Sequence, residues 1–142
     1  MTMTDRFLDA ARRPGSPGAS EEALDKAEEQ LGVRLPADYR AVMRQTNGVE
    51  CEFGNSWVRL WPVEDLVEKN AVWREFQRPC TFFGSNGGGE GYAWDGREGR
   101  AGKYVAVDWV NADPDAAVPC GETFEQFLAA LDGGIPFERS GE

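Results

Sequence analysis

The chain contains no histidine. That absence removes the commonest zinc ligand, the usual general base and the usual partner of a nucleophilic Ser or Cys. Cysteine is scarce. Cys51, Cys80 and Cys120 are odd in number, far apart and without a CxxC pair. A disulfide framework is therefore not expected; buried free thiols in a reducing, cytoplasmic compartment are. No apolar run approaches the roughly 20 residues a membrane helix needs, so no membrane partner is expected. The opening stretch MTMTDRFLDAARRPG has no apolar h-region, and no signal peptide is expected from it. Cations are few: 15 Lys+Arg face 25 Asp+Glu, for a net charge of −10. That balance speaks against a nucleic-acid partner, whose affinity comes from cationic neutralisation of phosphates.

What is present suits one domain. The chain has 142 residues, 41% hydrophobic and 28% charged. A domain of this size buries enough surface to need no disulfide or metal support. Its acid is unevenly spread: residues 101–142 carry 8 acids and 2 bases. An acidic exterior keeps a protein soluble, or it complements a basic partner and speeds encounter with it.

The pattern along the chain is helices, then strands, then a helix. Thr4 to Arg13 forms a short helix with Phe7, Leu8 and Ala11 on one side. Pro14, Gly15, Pro17 and Gly18 make a flexible elbow. Ser20 is an N-cap followed by the acids Glu21 and Glu22, where the helix dipole favours them. Leu24, Ala27 and Leu31 form one helical stripe that Gly32 ends. Pro36 opens a new helix with Tyr39, Val42, Met43 and Thr46 inward, closed by Asn47-Gly48.

Trp57 to Trp61 alternates as a strand, and Pro62 starts a helical stretch with Val63, Leu66 and Val67. Thr81 to Gly84, Tyr92 to Asp95 and Lys103 to Val110 are further strands. The glycine loop Ser85 to Gly91 joins the first two. Thr123 and Gln126 fit a capping box, and Phe124, Phe127, Leu128 and Leu131 form a stripe ended by Gly133-Gly134. Short loops favour antiparallel pairing. The expected fold is α+β: a single domain with a twisted antiparallel sheet, N-terminal helices and a C-terminal helix, the helices covering one sheet face. The expected divisions are a helix and elbow over 1–17, the domain over 18–134 and a fraying tail over 135–142.

No motif supplies a catalytic, cofactor or metal site. The glycine loop runs into Glu90 and a strand, whereas a P-loop needs GK[ST] and a helix, and a Rossmann loop also needs a helix. It reads instead as a hairpin loop with positive φ at several glycines. Asp113, Asp115 and Glu122 are oxygen ligands without EF-hand spacing. Asp95 and Asp108 lie on neighbouring strands and would pair as acid and base only at the separation hydrolysis needs. Of the five tryptophans, any that stays exposed beside acids is the expected binding anchor.

The order of motifs resembles the SUKH superfamily, which includes the yeast cell-wall-assembly regulator and many bacterial immunity proteins. The matching pieces are Ser20 with Ala27-Glu28-xx-Leu31-Gly32, then Leu35-Pro36-xx-Tyr39-Arg40 and Asn47-Gly48. The Trp-bearing strand with Leu60 and Pro62 follows, then Phe82 to Gly89 and Tyr92-Ala93-Trp94-Asp95. Thr123-Phe124-xx-Phe127-Leu128 completes the set. The resemblance spans roughly 18–131 and leaves out Thr4–Arg13. It implies an α+β fold without an active site or cofactor. It also implies an intracellular antidote that binds a protein toxin, often a nuclease or deaminase, or alternatively a scaffold or regulator with another partner. A basic toxin would suit the acidic surface. The segment Asp108 to Glu125 is then expected to fill its cleft, with Glu90, Asp95, Asp113, Asp115 and Glu122 as contacts.

Overall fold

The computed structural model describes residues 2–11, 17–73, 80–96, 103–108 and 117–133. Three helices open the chain: α1 (Met3–Ala11), α2 (Glu21–Leu31) and α3 (Ala37–Gln45). The hairpin β1 (Val49–Phe53) and β2 (Ser56–Leu60) follows. A 3-10 turn (Val63–Asp65) leads into α4 (Leu66–Trp73). Then come β3 (Thr81–Ser85), β4 (Glu90–Asp95), β5 (Lys103–Asp108), β6 (Val118–Gly121) and α5 (Phe124–Gly133). The six strands form an antiparallel meander in the order β1-β2-β3-β4-β5-β6.

The helix ends follow the capping residues. The Ser20 hydroxyl accepts from the Ala23 N–H at 3.1 Å, and Gly32 takes φ 73° while its N–H reaches Glu28. Thr123 accepts from the Gln126 N–H, while the Gln126 side chain accepts from Glu122 N–H. The latter bond is one residue earlier than a capping box places it.

The meander has two strands more than expected. β1 follows directly on the Asn47-Gly48 stop and holds two glutamates, but its sequence Val-Glu-Cys-Glu-Phe alternates as a half-buried strand should. β6 contains Pro119, which demotes a run as a central strand; here it forms the sheet edge, where proline is tolerated. Gly54 turns the β1–β2 hairpin with φ 59°, and Asn55 ties it to α5 through the Asp132 carbonyl.

One sheet face is covered by helices. Phe83 stacks on Trp94 at 4.7 Å, and Phe127 meets Phe83, Tyr92 and Tyr104 at 5.2–5.4 Å. Tyr39 of α3 adds an edge contact to Trp94, and Phe7 of α1 packs between Phe53 and Phe124. Helices were expected over one face; on the other, Phe82, Ala93, Val105 and Val107 are buried too, so β3, β4 and β5 are covered on both sides.

α4 completes the edge of β3. The Asn70 amide donates to the Phe82 carbonyl and accepts from its N–H, replacing a strand partner. Asp38 ties α3 to both β5 and α5. Its carboxylate accepts from Tyr104 OH at 2.9 Å and from the Phe124 N–H at 2.6 Å.

Two local readings are corrected. The segment 17–19 is pinned rather than loose: Ala19 N–H donates to Met43, and a Cβ on Gly18 would collide with the Arg44 carbonyl. Leu31 is half-buried, because Leu24 and Ala27 take the buried side of α2. Pro14, Gly15 and the tail 135–142 lie outside the described residues.

Candidate protein-binding surface

The sheet is exposed where the β1–β2 ribbon extends past the covered strands. Alternation along β2 turns Ser56, Val58 and Leu60 inward and leaves Trp57 and Arg59 outward. In register, Glu52 stands opposite Trp57 and Glu50 opposite Arg59. Trp57 is 36% exposed and is the exposed large hydrophobic side chain among the described residues.

The indole rests on the glycine loop. Gly87 holds φ 80°, and a Cβ there would come within 2.9 Å of Trp57 Cδ1. Gly88 and Gly89 do not adopt a positive φ, so one glycine carries the turn rather than several. A side chain at Gly89 would meet nothing within 4 Å. The ring therefore rests on Gly87, and bare backbone at Gly89 continues the loop beyond it.

Asn86 stiffens this loop. Its Oδ1 accepts from the Gly88 N–H at 2.9 Å, and its Nδ2 donates to Glu90 Oε1 at 2.8 Å. The Trp57 carbonyl accepts from Tyr92 OH at 3.0 Å, which fixes the strand beneath the ring. The ribbon is acidic around the indole. Glu50 pairs with Arg59 at 2.6 Å, while Glu52 is exposed and has no ion-pair partner among the described residues.

The expected contact residues scatter. Glu90 is half-buried at the start of β4, in the glycine-loop brace and opposite Asp108. Glu122 is exposed near β6, 3.8 Å from Lys103 Nζ. Asp95 does not present its carboxylate to solvent: it is 1% exposed at the far end of β4, opposite Lys103. Asp113, Asp115 and Trp109 lie outside the described residues.

Asp95 and Asp108 do not form a catalytic pair. Their strand partners are Lys103 and Glu90, so they sit at opposite ends of the β4–β5 ladder. Five residues of strand separate them by about 17 Å, well beyond the 5–9.5 Å of glycoside hydrolysis. Among the described residues no group of three or more His, Cys, Asp or Glu gathers to hold a metal.

Trp61 and Trp94 are buried. An exposed aromatic, carboxylates and open backbone recognise another molecule by stacking, ion pairing and hydrogen bonding. The signals in the sequence were the strand alternation that turned Trp57 outward and the neighbouring Glu52. The meeting of Trp57 with Gly87 depends on tertiary packing and left no sequence signal.

No curated protein matches the chain. The model of the SMI1 / KNR4 family (SUKH-1) matches residues 18–130, from the segment before α2 into α5. That match covers all six strands and leaves α1 outside it. No helix among the described residues is long and apolar enough to cross a membrane. The chain belongs to the SMI1 / KNR4 (SUKH-1) family.

Proposed function

We propose that this chain is a non-catalytic immunity protein acting in the cytoplasm, which binds a cognate basic protein toxin of nuclease or deaminase type and blocks it. The observation that carries the reading is family membership over residues 18–130. The net charge of −10 supports it, because a nuclease must itself attract phosphate and so offers a cationic groove to an acidic partner. Glu90 and Glu122 are contacts in this reading, with Asp113 and Asp115 of the acidic segment. Asp95, being buried, is not.

The test is titration calorimetry of the purified protein against the toxin domain encoded beside its gene. Micromolar or tighter binding that weakens as salt rises is expected. Absence of binding to any neighbouring gene product, in a housekeeping neighbourhood, would favour the scaffold or regulator role instead.

A further inference from the structure

Most of the molecule's aromatic rings are committed to its interior. Phe7, Tyr39, Phe83, Trp94, Tyr104, Phe124 and Phe127 pack against one another. Trp57 breaks that rule at 36% exposure. Its backbone is held from below by Tyr92, and its ring is seated on the rigid Asn86-braced loop. The side chain is thus already ordered, and little conformational freedom remains to be lost on contact.

The charge around it is mixed, with a carboxylate directly opposite. Glu52 faces it across the ribbon, and two pairs further along on the same face Glu50 shares its charge with Arg59. Gly87 lies against the ring edge, Gly88 has only the Asn86 amide beside it, and Gly89 has open space, so a partner's backbone can approach this end of the loop with little side chain in its way. An indole face with a neighbouring carboxylate suits a guanidinium: the plane stacks on the ring while its N–H groups reach the carboxylate.

We propose that Trp57 with Glu52 and the Gly87–Gly89 shelf forms the anchor that docks an arginine-bearing loop of a cationic protein partner. This rests on the immunity reading for the partner's identity, and not for the chemistry of the patch.

Two arms test it. In the first, the indole N–H resonances of the protein are followed while acetyl-Gly-Arg-Arg-Gly-amide is added. Trp57→Phe identifies the Trp57 signal by its loss. Saturable shifts are expected at the Trp57 indole and the Gly87–Gly89 amides. They should vanish with the neutral citrulline peptide. Glu52→Gln should weaken binding about two- to fivefold, the range of an exposed ion pair. Equal shifts with the citrulline peptide, or shifts centred on Glu122 and α5, overturn the proposal.

In the second arm the adjacently encoded toxin domain is titrated with Trp57→Ala and Gly89→Lys. The second variant leaves the ring in place and sets a cation on the empty side of the shelf. Each should lose at least about tenfold in affinity, as truncated or blocked anchors do. Unchanged thermal melts would show that the fold is intact. Toxin bound equally well by both variants removes this anchor and leaves the immunity reading standing. Selective arginine-peptide binding at Trp57, with no toxin bound by the wild type, keeps the anchor and removes the immunity reading.

Discussion

The helix outside the family match gives the sharpest test of how the fold is held together. Phe7 of α1 is 0% exposed, with its ring 5.8 Å from both Phe53 of β1 and Phe124 of α5. Arg6 lies over the Phe53 ring at 5.3 Å. The N-terminus of α1 is closed from across the chain: Glu125 accepts from Met3 N–H, Thr4 N–H and the Thr4 hydroxyl at 2.6–2.9 Å. α1 is thus a wall of the core rather than an appendage.

Phe7→Ala removes a fully buried ring from a site lined by two others. Burial of this kind is worth about 3–5 kcal/mol, including the cavity left behind. Domain stabilities are roughly 5–15 kcal/mol, so the loss is a large fraction of the whole. With an unfolding entropy of ~0.3 kcal/mol/K for a chain of this length, the melting temperature should fall by about 10–17 °C. Urea unfolding at neutral pH should show a lower midpoint with an unchanged slope. A loss below about 0.5 kcal/mol, the range of surface substitutions, would mean that α1 is not docked and that the core is complete from residue 18 onward.

Other substitutions separate buried from exposed positions. Phe127→Ala should cost about 3–5 kcal/mol, whereas Leu31→Ala, at a half-buried position, should fall below the ~2 kcal/mol typical of buried leucines. Equal losses in urea melts would mean that α2 is rotated. Gly87→Ala should cost about 1–2 kcal/mol for its φ of 80°, while Gly89→Ala should stay within about 0.5 kcal/mol; a reversed order of melting midpoints would refute the loop geometry. Acid should weaken the fold. Glu21, bonded to Arg44 and Arg40, has its carboxyl lowered from 4.5 to about 2, and bonds from Thr4 lower Glu125. Lowered carboxyls contribute stability above their unfolded value, and lose it as pH falls from about 4.5 toward about 2. Glu21→Gln should therefore flatten the stability curve across that window, and an unchanged curve refutes the role of the pair. At the other extreme, burial raises the Tyr39 and Tyr104 hydroxyls, with Asp38 adding to the second, so stability should decline as pH rises past 10. A flat urea midpoint between pH 9 and 11.5 would refute that.

The helices were legible because their ends are written in local chemistry. Ser20, Gly32, Pro36 and Thr123 act within a few residues of themselves, and the structure uses each at a helix end. The central strands were legible from aromatic and β-branched content. The outer strands were not, because β1 carries two glutamates and β6 a proline. Such residues are ordinary at a sheet edge, but only the finished sheet shows where the edge is. The second buried face escaped for a similar reason: Phe82, Ala93 and Val105 alternate with the helix-facing set, and continuous apolar strands mean burial on both sides.

The candidate surface shows the same division between local and distant information. Trp57, between Ser56 and Val58, and Trp94, between Ala93 and Asp95, are both strand tryptophans, and composition treats them alike. Register separates them. Trp94 pairs with Tyr104 in the middle of the meander and takes the helix-covered face, where Tyr39 and Phe83 close over it. Trp57 pairs with Glu52 on the ribbon and takes the opposite face, beyond the covered strands. Glu52 supplies the decisive constraint. A carboxylate directly across the ladder must remain hydrated or meet a cation, which suits the open end of the face where the partly covered indole lies. In the proposed anchor, that same carboxylate beside the indole is what a partner's cation would meet.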